Sequence, residues 1–245
     1  MRSDIENQLR ALGLLGLASH LGDLGDAPWL ETIIRIEREE RTLRGLDRRM
    51  KNARLGHFKP LADYDWLWPE KIDRHAIECL MKLDFLERHE NLLLVGGIGL
   101  GKTMIASNIA YAAIASGRSA RFTTASAMLG ELVNQDSSAA LKRAFRRYTS
   151  PAVLVIDELG YLGYGARHAD VLFEVVNQRY ELRRPIIITT NRTFSEWGDL
   201  FPSATCVLPL VDRLIHRCEV IHITGRSYRF KEAEQAEQAR KKRKR

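Results

Sequence analysis

A glycine-rich segment at residues 91–105 constrains the fold more than any other part of this sequence. It opens with an apolar run, continues through four closely spaced glycines and leads into an alanine-rich stretch that favours a helix. A buried strand, a glycine-rich turn and a helix N-terminus are the context in which phosphate-binding loops occur. Glycines allow backbone N–H groups to converge on a polyphosphate, and the helix dipole adds about half a positive charge there. The segment therefore predicts an α/β fold with a nucleotide site.

The loop itself supplies the predicted nucleotide contacts. Lys102 is expected to reach the β and γ phosphates, and the Thr103 hydroxyl is expected to bind Mg²⁺. The candidate loop residues are Gly96, Gly97, Ile98, Gly99, Leu100, Gly101, Lys102, Thr103 and Met104. The alternative is a glycine-rich turn that holds no ligand. The complete pattern Gly-x-x-x-x-Gly-Lys-Thr between a strand and a helix favours a site for ATP and Mg²⁺.

A second motif occupies residues 152–158. Four apolar residues suit a strand buried on both faces of a sheet, and Asp157 and Glu158 follow at its carboxyl end, where open α/β sheets bind ligands. Asp157 is expected to hold Mg²⁺ through its water shell, and Glu158 to orient and polarise the water that attacks the γ phosphate. The turn at Gly160 would let both carboxylates approach the site. The alternative is a strand that ends in two acidic residues by chance.

Residues 185–191 predict a third buried strand with a polar end. Asn191 would lie where its side-chain amide can contact the γ phosphate or the attacking water. An asparagine that only stabilises a turn is the alternative. The order of the three motifs along the chain favours the catalytic interpretation.

The positive charge of the chain is concentrated in two segments. The formal net charge is +7, and residues 240–245, all Lys or Arg, carry six of these charges. Residues 35–59 contain nine Lys or Arg against four Asp or Glu. Concentrated basic segments indicate a polyanionic partner, and we rank nucleic acid ahead of a membrane surface.

Two predicted helices carry basic surfaces. Residues 29–53 have helical apolar spacing, with Leu43 and Met50 on the face expected to pack and cations on the nearly opposite face. A second basic surface is predicted on a helix within residues 125–149. The candidate contacts to duplex DNA are Arg41, Arg44, Arg48, Lys51, Arg54, Lys142, Arg143 and Arg146. The alternative is a solvated helix face whose arginines pair with nearby glutamates.

Patterning divides the chain into four expected parts. They are a helical N-terminal domain for DNA binding and oligomerisation at 1–59, a linker at 60–70, an ATPase domain at 71–230 and a basic tail at 231–245. The aromatic side chains of the linker are expected to pack against the ATPase domain rather than stack on bases. The tail is expected to be helical or disordered.

Some segments yield expectations about single elements. We expect one amphipathic helix at residues 5–24, another helix at residues 72–86 and a loop-rich stretch at residues 194–210. The three cysteines stand far apart without metal-ligand spacing, which favours reduced thiols. Ordinary composition, the lack of a signal-peptide pattern and the lack of a long uncharged apolar run predict a soluble cytoplasmic protein.

The three motifs in this order resemble those of AAA+ ATPases, and longer segments resemble the IstB family, the ATP-binding helper proteins of insertion-sequence transposases. These segments are LDFLERHENLLLVG (83–96), GGIGLGKT (96–103), LVIDELGYL (154–162), TTNRTFSEWG (189–198) and DRLIHRCEVIHITGRSYR (212–229). The likeness runs from about residue 5 to residue 231. A more distant likeness is to the helicase loader DnaC and the initiator DnaA.

The resemblance implies an αβα core with a mainly parallel sheet, little or no lid and a small helical N-terminal domain. It implies ATP-dependent assembly of several copies on duplex DNA and delivery of that DNA to the cognate transposase. Lys102 and Thr103 match the Walker A pair, Asp157 and Glu158 match the Walker B pair, and Asn191 matches the sensor position.

The resemblance also assigns arginines near the C-terminus. Arg217 resembles the finger that reaches the γ phosphate of a neighbouring subunit, and Arg213 is the second candidate. Arg226 and Arg229 lie where related ATPases have a second sensor, and their role stays open.

Three alternative functions remain at this point. A helicase loader belongs to the same class and differs in its partner. A small-molecule kinase is disfavoured by Glu158, Asn191 and the basic clusters. A catalytically inactive DNA-binding adaptor would keep the fold and lose the turnover of ATP.

Overall fold

The computed structural model describes residues 2–24, 27–202 and 204–243. These residues form two compact units, Met1–Arg49 and Met50–Arg245. The division falls inside a long helix, α3 (Trp29–Ala53), whereas the sequence suggested a domain boundary at residue 59. The helix itself has the bounds that its apolar spacing predicted.

The N-terminal unit contains α1 (Arg2–Ala11), α2 (Leu15–Ser19) and the first part of α3. The single helix predicted at residues 5–24 is wrong, because the chain breaks at Gly13 in a left-handed conformation with φ of 67°. The core of the unit is formed by Leu9, Leu12, Ala18, Leu30 and Ile34. The predicted packing face of α3 is wrong at Leu43, whose side chain is 60% exposed.

The second unit is built on a parallel sheet in the order β2-β3-β4-β1-β5. Its strands are β1 (Asn91–Gly96), β2 (Ala120–Thr124), β3 (Val153–Leu159), β4 (Ile186–Thr190) and β5 (Cys218–Ile223). The apolar runs that predicted the strands are almost wholly buried in β1, β3 and β4, as expected for a sheet covered on both faces. The predicted α/β fold with a parallel sheet is confirmed.

Two helices in the described part of this unit precede β1, and the others follow strands. The helices are α4 (Arg74–Leu80), α5 (Asp84–Glu87), α6 (Lys102–Ala115), α7 (Ala125–Val133), α8 (Ser138–Thr149), α9 (Ala166–Glu181), α10 (Trp197–Leu200), α11 (Val207–Ile215) and α12 (Tyr228–Arg243). Short 3-10 turns lie at Leu61–Asp63 and Phe194–Glu196.

Two local expectations are wrong for identifiable reasons. The helix predicted at residues 72–86 is split into α4 and α5, because Leu83 adopts a left-handed conformation with φ of 69°. The stretch predicted to be loop-rich contains α10 and the start of α11. Pro209 is compatible with a helix here because it lies in the first turn of α11, where its missing N–H breaks no helical hydrogen bond.

The C-terminal part of the described chain follows β5. Between β5 and residue 243 the described residues form a single helix, α12. Residues 244 and 245 of the predicted basic tail lie outside the described residues. Within the described ranges, no helix is both long enough and apolar enough to cross a membrane.

Candidate nucleotide site

The strand order brings the three sequence motifs to one edge of the sheet. Strands β3, β4 and β1 are consecutive neighbours and run parallel, so their carboxyl ends lie side by side. The glycine-rich loop follows β1, the acidic pair lies at the end of β3, and Asn191 directly follows β4. Motifs far apart in sequence therefore form one candidate site.

The backbone of the loop is shaped as a cradle for an anion. Gly99 and Gly101 adopt φ values of 73° and 82°, which side-chain-bearing residues rarely tolerate. A Cβ atom at Gly96 would collide with the carbonyl oxygen of Ile223. Helix α6 begins at Lys102 without a side-chain cap, so its first N–H groups remain available to a ligand. This geometry fits a bound phosphate chain.

Lys102 lies inside the loop and is 5% exposed. Its ammonium donates to the carbonyl oxygens of Gly96 at 2.8 Å and Gly97 at 2.6 Å, and to the Tyr161 hydroxyl at 3.3 Å. Burial lowers the pKa of Lys102 to about 8, although the charges of Asp157 and Glu158 oppose that shift. The lysine can therefore exchange backbone acceptors for phosphate oxygens.

Asp157 accepts hydrogen bonds from two hydroxyl groups near the loop. Its Oδ1 accepts hydrogen bonds from Thr103 Oγ1 at 3.0 Å and from Thr189 Oγ1 at 2.5 Å. The carboxylate is almost completely buried. Carboxylate and hydroxyl oxygens are ligands that suit Mg²⁺, so Thr103 and Asp157 fit the ion that the motifs predict.

Glu158 has the opposite environment from its neighbour. A β-bulge shifts the pairing of β3 with β4 between Ile156 and Leu159, and Glu158 adopts a φ of 60° there. Its backbone N–H donates to Thr189 Oγ1 at 2.9 Å, while its side chain is exposed. The bulge, rather than the turn at Gly160, therefore separates the two carboxylates. Strained backbone of this kind is typical of functional positions.

Asn191 lies beside the turn that follows β3. A Cβ atom at Gly160 would be 3.2 Å from Asn191 Oδ1 and 3.2 Å from Thr190 Oγ1, so these groups border one another. Its exposed side chain is thus at the same edge as Glu158.

Arg217 lies at the opposite edge of the sheet from the loop. Its carbonyl oxygen accepts a hydrogen bond from the Asn91 N–H at 2.6 Å, where β1 and β5 begin. The loop lies at the other end of β1, about 17 Å away at the usual rise of a parallel strand. The exposed side chain of Arg217 is therefore too far from the loop of its own chain to contact a ligand bound there.

Arg213 is held by its own helix and by α9. Its guanidinium donates to the Pro209 carbonyl oxygen at 3.3 Å and lies 4.8 Å from the centre of the Phe173 ring. A cavity of about 280 Å³ opens beside it at the amino-terminal edge of the sheet. Its basic lining residues are His89, Arg179, Arg183, Arg184, Arg213, His216 and Arg217.

Arg226 and Arg229 are close to the loop but in different ways. The carbonyl oxygen of Arg226 accepts a hydrogen bond from Trp68 Nε1 at 2.8 Å, which confirms that this tryptophan packs within the unit. Burial is the main cause of the lowered pKa of Lys102, and the positive charge of Arg229 adds to it. Arg229 is therefore near enough to influence the charge at the nucleotide site.

The candidate DNA-binding residues differ in their contacts within the protein. Arg41 donates to Glu37 and to the Leu12 carbonyl oxygen, each at 2.5 Å, so it braces the N-terminal unit. Arg44 lies 3.5 Å from the same glutamate. All the candidates are exposed, namely Arg41, Arg44, Arg48, Lys51, Arg54, Lys142, Arg143 and Arg146.

Pattern reading missed three residues at the site. Thr189 lies next to the last residue of the apolar strand β4, and its polar side chain was the signal in the sequence for a contact to Asp157. Tyr161 lies in the segment that carries the family resemblance and contacts Lys102. Tyr64, whose hydroxyl donates to the Leu100 carbonyl oxygen at 2.8 Å, had no such signal, because 36 residues separate the pair.

Known structures show the same fold. The crystal structure of DnaI superposes with a TM-score of 0.56 at 19% identity, over 71% of this chain and 90% of that chain. The crystal structure of the DnaC helicase loader gives a TM-score of 0.51 at 20% identity, over 72% of this chain and 99% of that chain. At these identities the likeness establishes the fold alone, which is an α/β fold with a five-stranded parallel sheet.

Sequence relatives extend along most of the chain. A protein of insertion sequence IS5376 from Geobacillus stearothermophilus, named for ATP binding, is 33% identical over 213 residues, covering 87% of this chain and 84% of the relative. A similarly named IS21 protein from Pseudomonas aeruginosa is 34% identical over 193 residues, covering 79% and 72%. The family model described as IstB-like ATP binding protein matches residues 10–236. The chain therefore belongs to the IstB-like family of insertion-sequence ATP-binding proteins.

Proposed function

We propose that this protein is a DNA-dependent ATPase switch that serves transposition. ATP-bound copies assemble on duplex DNA, select and remodel it, and deliver it to the cognate transposase. The observation that carries the proposal is the pairing of Thr103 with the buried Asp157 beneath the loop, next to the exposed Glu158. Such a division of roles suits phosphoryl transfer to water.

Each side chain of the site has a separate task in this proposal. Mg²⁺–ATP, when bound, supplies the phosphoryl group and neutralises part of its charge. Lys102 exchanges its contacts with Gly96 and Gly97 for phosphate oxygens. Thr103 and Asp157 hold the ion. Glu158 orients a water molecule and accepts its proton, because its carboxylate is exposed at the open edge of the sheet.

Asn191 and Arg217 are the remaining residues that are assigned a catalytic role. Asn191 is assigned to orient the water or the γ phosphate from the end of β4. Arg217 is assigned to the neighbouring copy, because it lies at the opposite sheet edge from the loop of its own chain. A finger supplied in this way makes hydrolysis depend on assembly, and such fingers typically contribute roughly 10³ to 10⁵ in rate.

The proposed DNA contacts are made to phosphates. The exposed cations of α3 and α8 are long, flexible side chains suited to the backbone of duplex DNA. Binding of this kind is largely independent of base sequence and weakens steeply with salt. DNA bending would add a preference for deformable sequences.

One experiment tests the proposal most directly. ATPase rate and particle size are measured together, with and without duplex DNA and with and without ATP. We expect both quantities to rise only when DNA and ATP are present. A protein without nucleotide affinity, or one that coats DNA equally well without ATP, would overturn the proposal.

A helicase loader is the second candidate, because the fold is similar to that of the DnaC helicase loader. Capture experiments with the cognate transposase and with a replicative helicase separate the two functions. Selective retention of the transposase is expected, and selective retention of the helicase would support the loader. A phosphorylated small-molecule product would instead identify a kinase.

A further inference from the structure

The glycine-rich loop is held from outside by two distant segments, residues 64–71 and 224–231, which we call the strap. Tyr64 provides the first contact. Its hydroxyl donates to the Leu100 carbonyl oxygen at 2.8 Å, and its ring lies where a Cβ atom at Gly101 would collide with it. Burial raises the pKa of Tyr64 to about 12, so the phenol keeps its proton and remains a donor near neutral pH.

The second contact comes from the chain between β5 and α12. The Tyr228 N–H donates to the Gly99 carbonyl oxygen at 2.9 Å. Ser227 lies against Gly99 so closely that any side chain at that glycine would collide with it. Two successive carbonyl groups of the loop, those of Gly99 and Leu100, therefore each accept a hydrogen bond from the strap.

The two halves of the strap are also fastened to each other. Lys71 and Thr224 exchange backbone hydrogen bonds of 3.2 and 3.0 Å. The Lys231 ammonium lies 2.8 Å from Asp65 Oδ2 and 4.5 Å from the centre of the Trp68 ring. The strap thus joins the segment that precedes α4 to the segment that follows β5.

The planar trans peptide links these outer contacts to the inside of the loop. In one peptide group the C=O and the next N–H point in opposite directions. Fixing the carbonyls of Gly99 and Leu100 outward therefore directs the N–H groups of Leu100 and Gly101 away from the strap. These are the amides that a phosphate-binding loop offers to its ligand.

We propose that the strap pre-organises the phosphate-binding amides, with Tyr64 as a positioning residue for nucleotide binding. This inference rests on the nucleotide site proposed above. Without the strap, the loop would have to order its peptides when the ligand binds, and that cost would appear as lost affinity. The amides contact phosphates common to ADP and ATP, so both nucleotides should lose affinity equally.

The test compares Tyr64→Phe, which removes the hydroxyl and keeps the ring, with Tyr111→Phe. Tyr111 is a suitable control because its ring packs on Phe58. Titration with ADP and with ATP should give Kd values raised about fivefold for Tyr64→Phe, the factor typical of one hydrogen bond. In the ATPase assay KM should rise while kcat stays unchanged. The control should match the native protein.

A second variant separates positioning from folding. Lys231→Met removes the ammonium that contacts Asp65 and keeps the aliphatic stem, and it should also weaken ADP and ATP binding equally. Melting of the nucleotide-free variants checks that they are folded, and if Tyr64→Phe does not fold, Lys231→Met decides. Native affinity in the folded variants, or an equal loss in Tyr111→Phe, would overturn the inference. A native protein that binds neither nucleotide would instead overturn the proposed function.

Discussion

At the residue scale, Asp157 and Glu158 are sequence neighbours with different environments. Asp157 is buried and accepts hydrogen bonds from Thr103 and Thr189, whereas Glu158 is exposed at the β-bulge. A buried carboxylate with fixed hydroxyl partners suits an ion site, and an exposed one suits proton transfer. The two residues should therefore respond differently to substitution.

Glu158→Gln should reduce the ATPase rate by about 10² to 10⁴, the usual contribution of a general base. ATP-dependent assembly on DNA should persist, because the change leaves the loop and the ion ligands intact. Phosphate release and light scattering measure the two properties on one sample. Glu87→Gln, at an exposed ion pair with Arg118, is the control and should keep native values. A native ATPase rate in Glu158→Gln would assign the base to another residue, and a native protein without any turnover would favour the inactive adaptor.

Lys102 predicts a pH dependence of nucleotide affinity. Its pKa is about 8 without nucleotide, and phosphate oxygens favour the charged form, so binding raises that pKa. ATP affinity should be full below pH 8 and should fall as pH rises through 8, by up to about tenfold per unit. Measuring the Kd for ATP at several pH values between roughly pH 7 and pH 9.5 checks this dependence, because the free lysine loses its proton in about that range. Lys102→Ala should bind weakly without this dependence, and a flat native profile would contradict the assignment.

At the element scale, α3 combines a packing role with a basic surface. Arg41 is bonded to Glu37 and to the Leu12 backbone, so its charge is partly committed inside the N-terminal unit. Arg44 and Arg48 are exposed further along the helix. These two arginines therefore provide the cleaner test of DNA contact.

Replacing Arg44 and Arg48 together by Gln should reduce the magnitude of the log–log salt slope for duplex DNA binding by about 1.8, at about 0.9 per phosphate contact. Fluorescence anisotropy at several salt concentrations measures the slope. Arg10→Gln combined with Arg35→Gln is the matched control, because it removes the same number of exposed charges from arginines outside the proposed DNA contacts. An unchanged slope in the first pair would remove α3 from the proposed DNA surface.

At the scale of the whole molecule, the sheet separates the nucleotide site from Arg217. The loop follows the carboxyl end of β1, whereas Arg217 precedes the amino end of β5. In the function proposed above, Arg217 therefore completes the site of another copy that meets this one head to tail, an arrangement that generates rings or filaments. Turnover should therefore depend on protein concentration.

Mixing inactive variants tests this layout. Arg217→Ala retains the site and lacks the finger, whereas Glu158→Gln retains the finger and lacks the base. An equimolar mixture should recover roughly a quarter of the native ATPase rate if neighbours mix at random head to tail. Mixing Arg217→Ala with the double variant that carries both changes should recover nothing. A mixture as inactive as its components would exclude Arg217 as the shared group and leave Arg213 as the candidate.

Local patterns in the chain were enough to predict much of the molecule. The apolar runs, the glycine-rich turn and the polar strand ends predicted the strands β1, β3 and β4 and the placement of Lys102, Asp157 and Asn191, because strand burial and turn formation depend on neighbouring residues. The same reasoning failed where one backbone angle broke a helix, at Gly13 and Leu83.

Contacts between distant segments settled the remaining features. The bulge that exposes Glu158 arises from the pairing of β3 with β4. The hydrogen bond from Tyr64 to the Leu100 carbonyl oxygen joins residues that are 36 positions apart in the sequence. The separation of Arg217 from its own loop follows from the strand order. Sequence periodicity reports which face of an element is buried, but the partner across the interface becomes defined when the elements pack together.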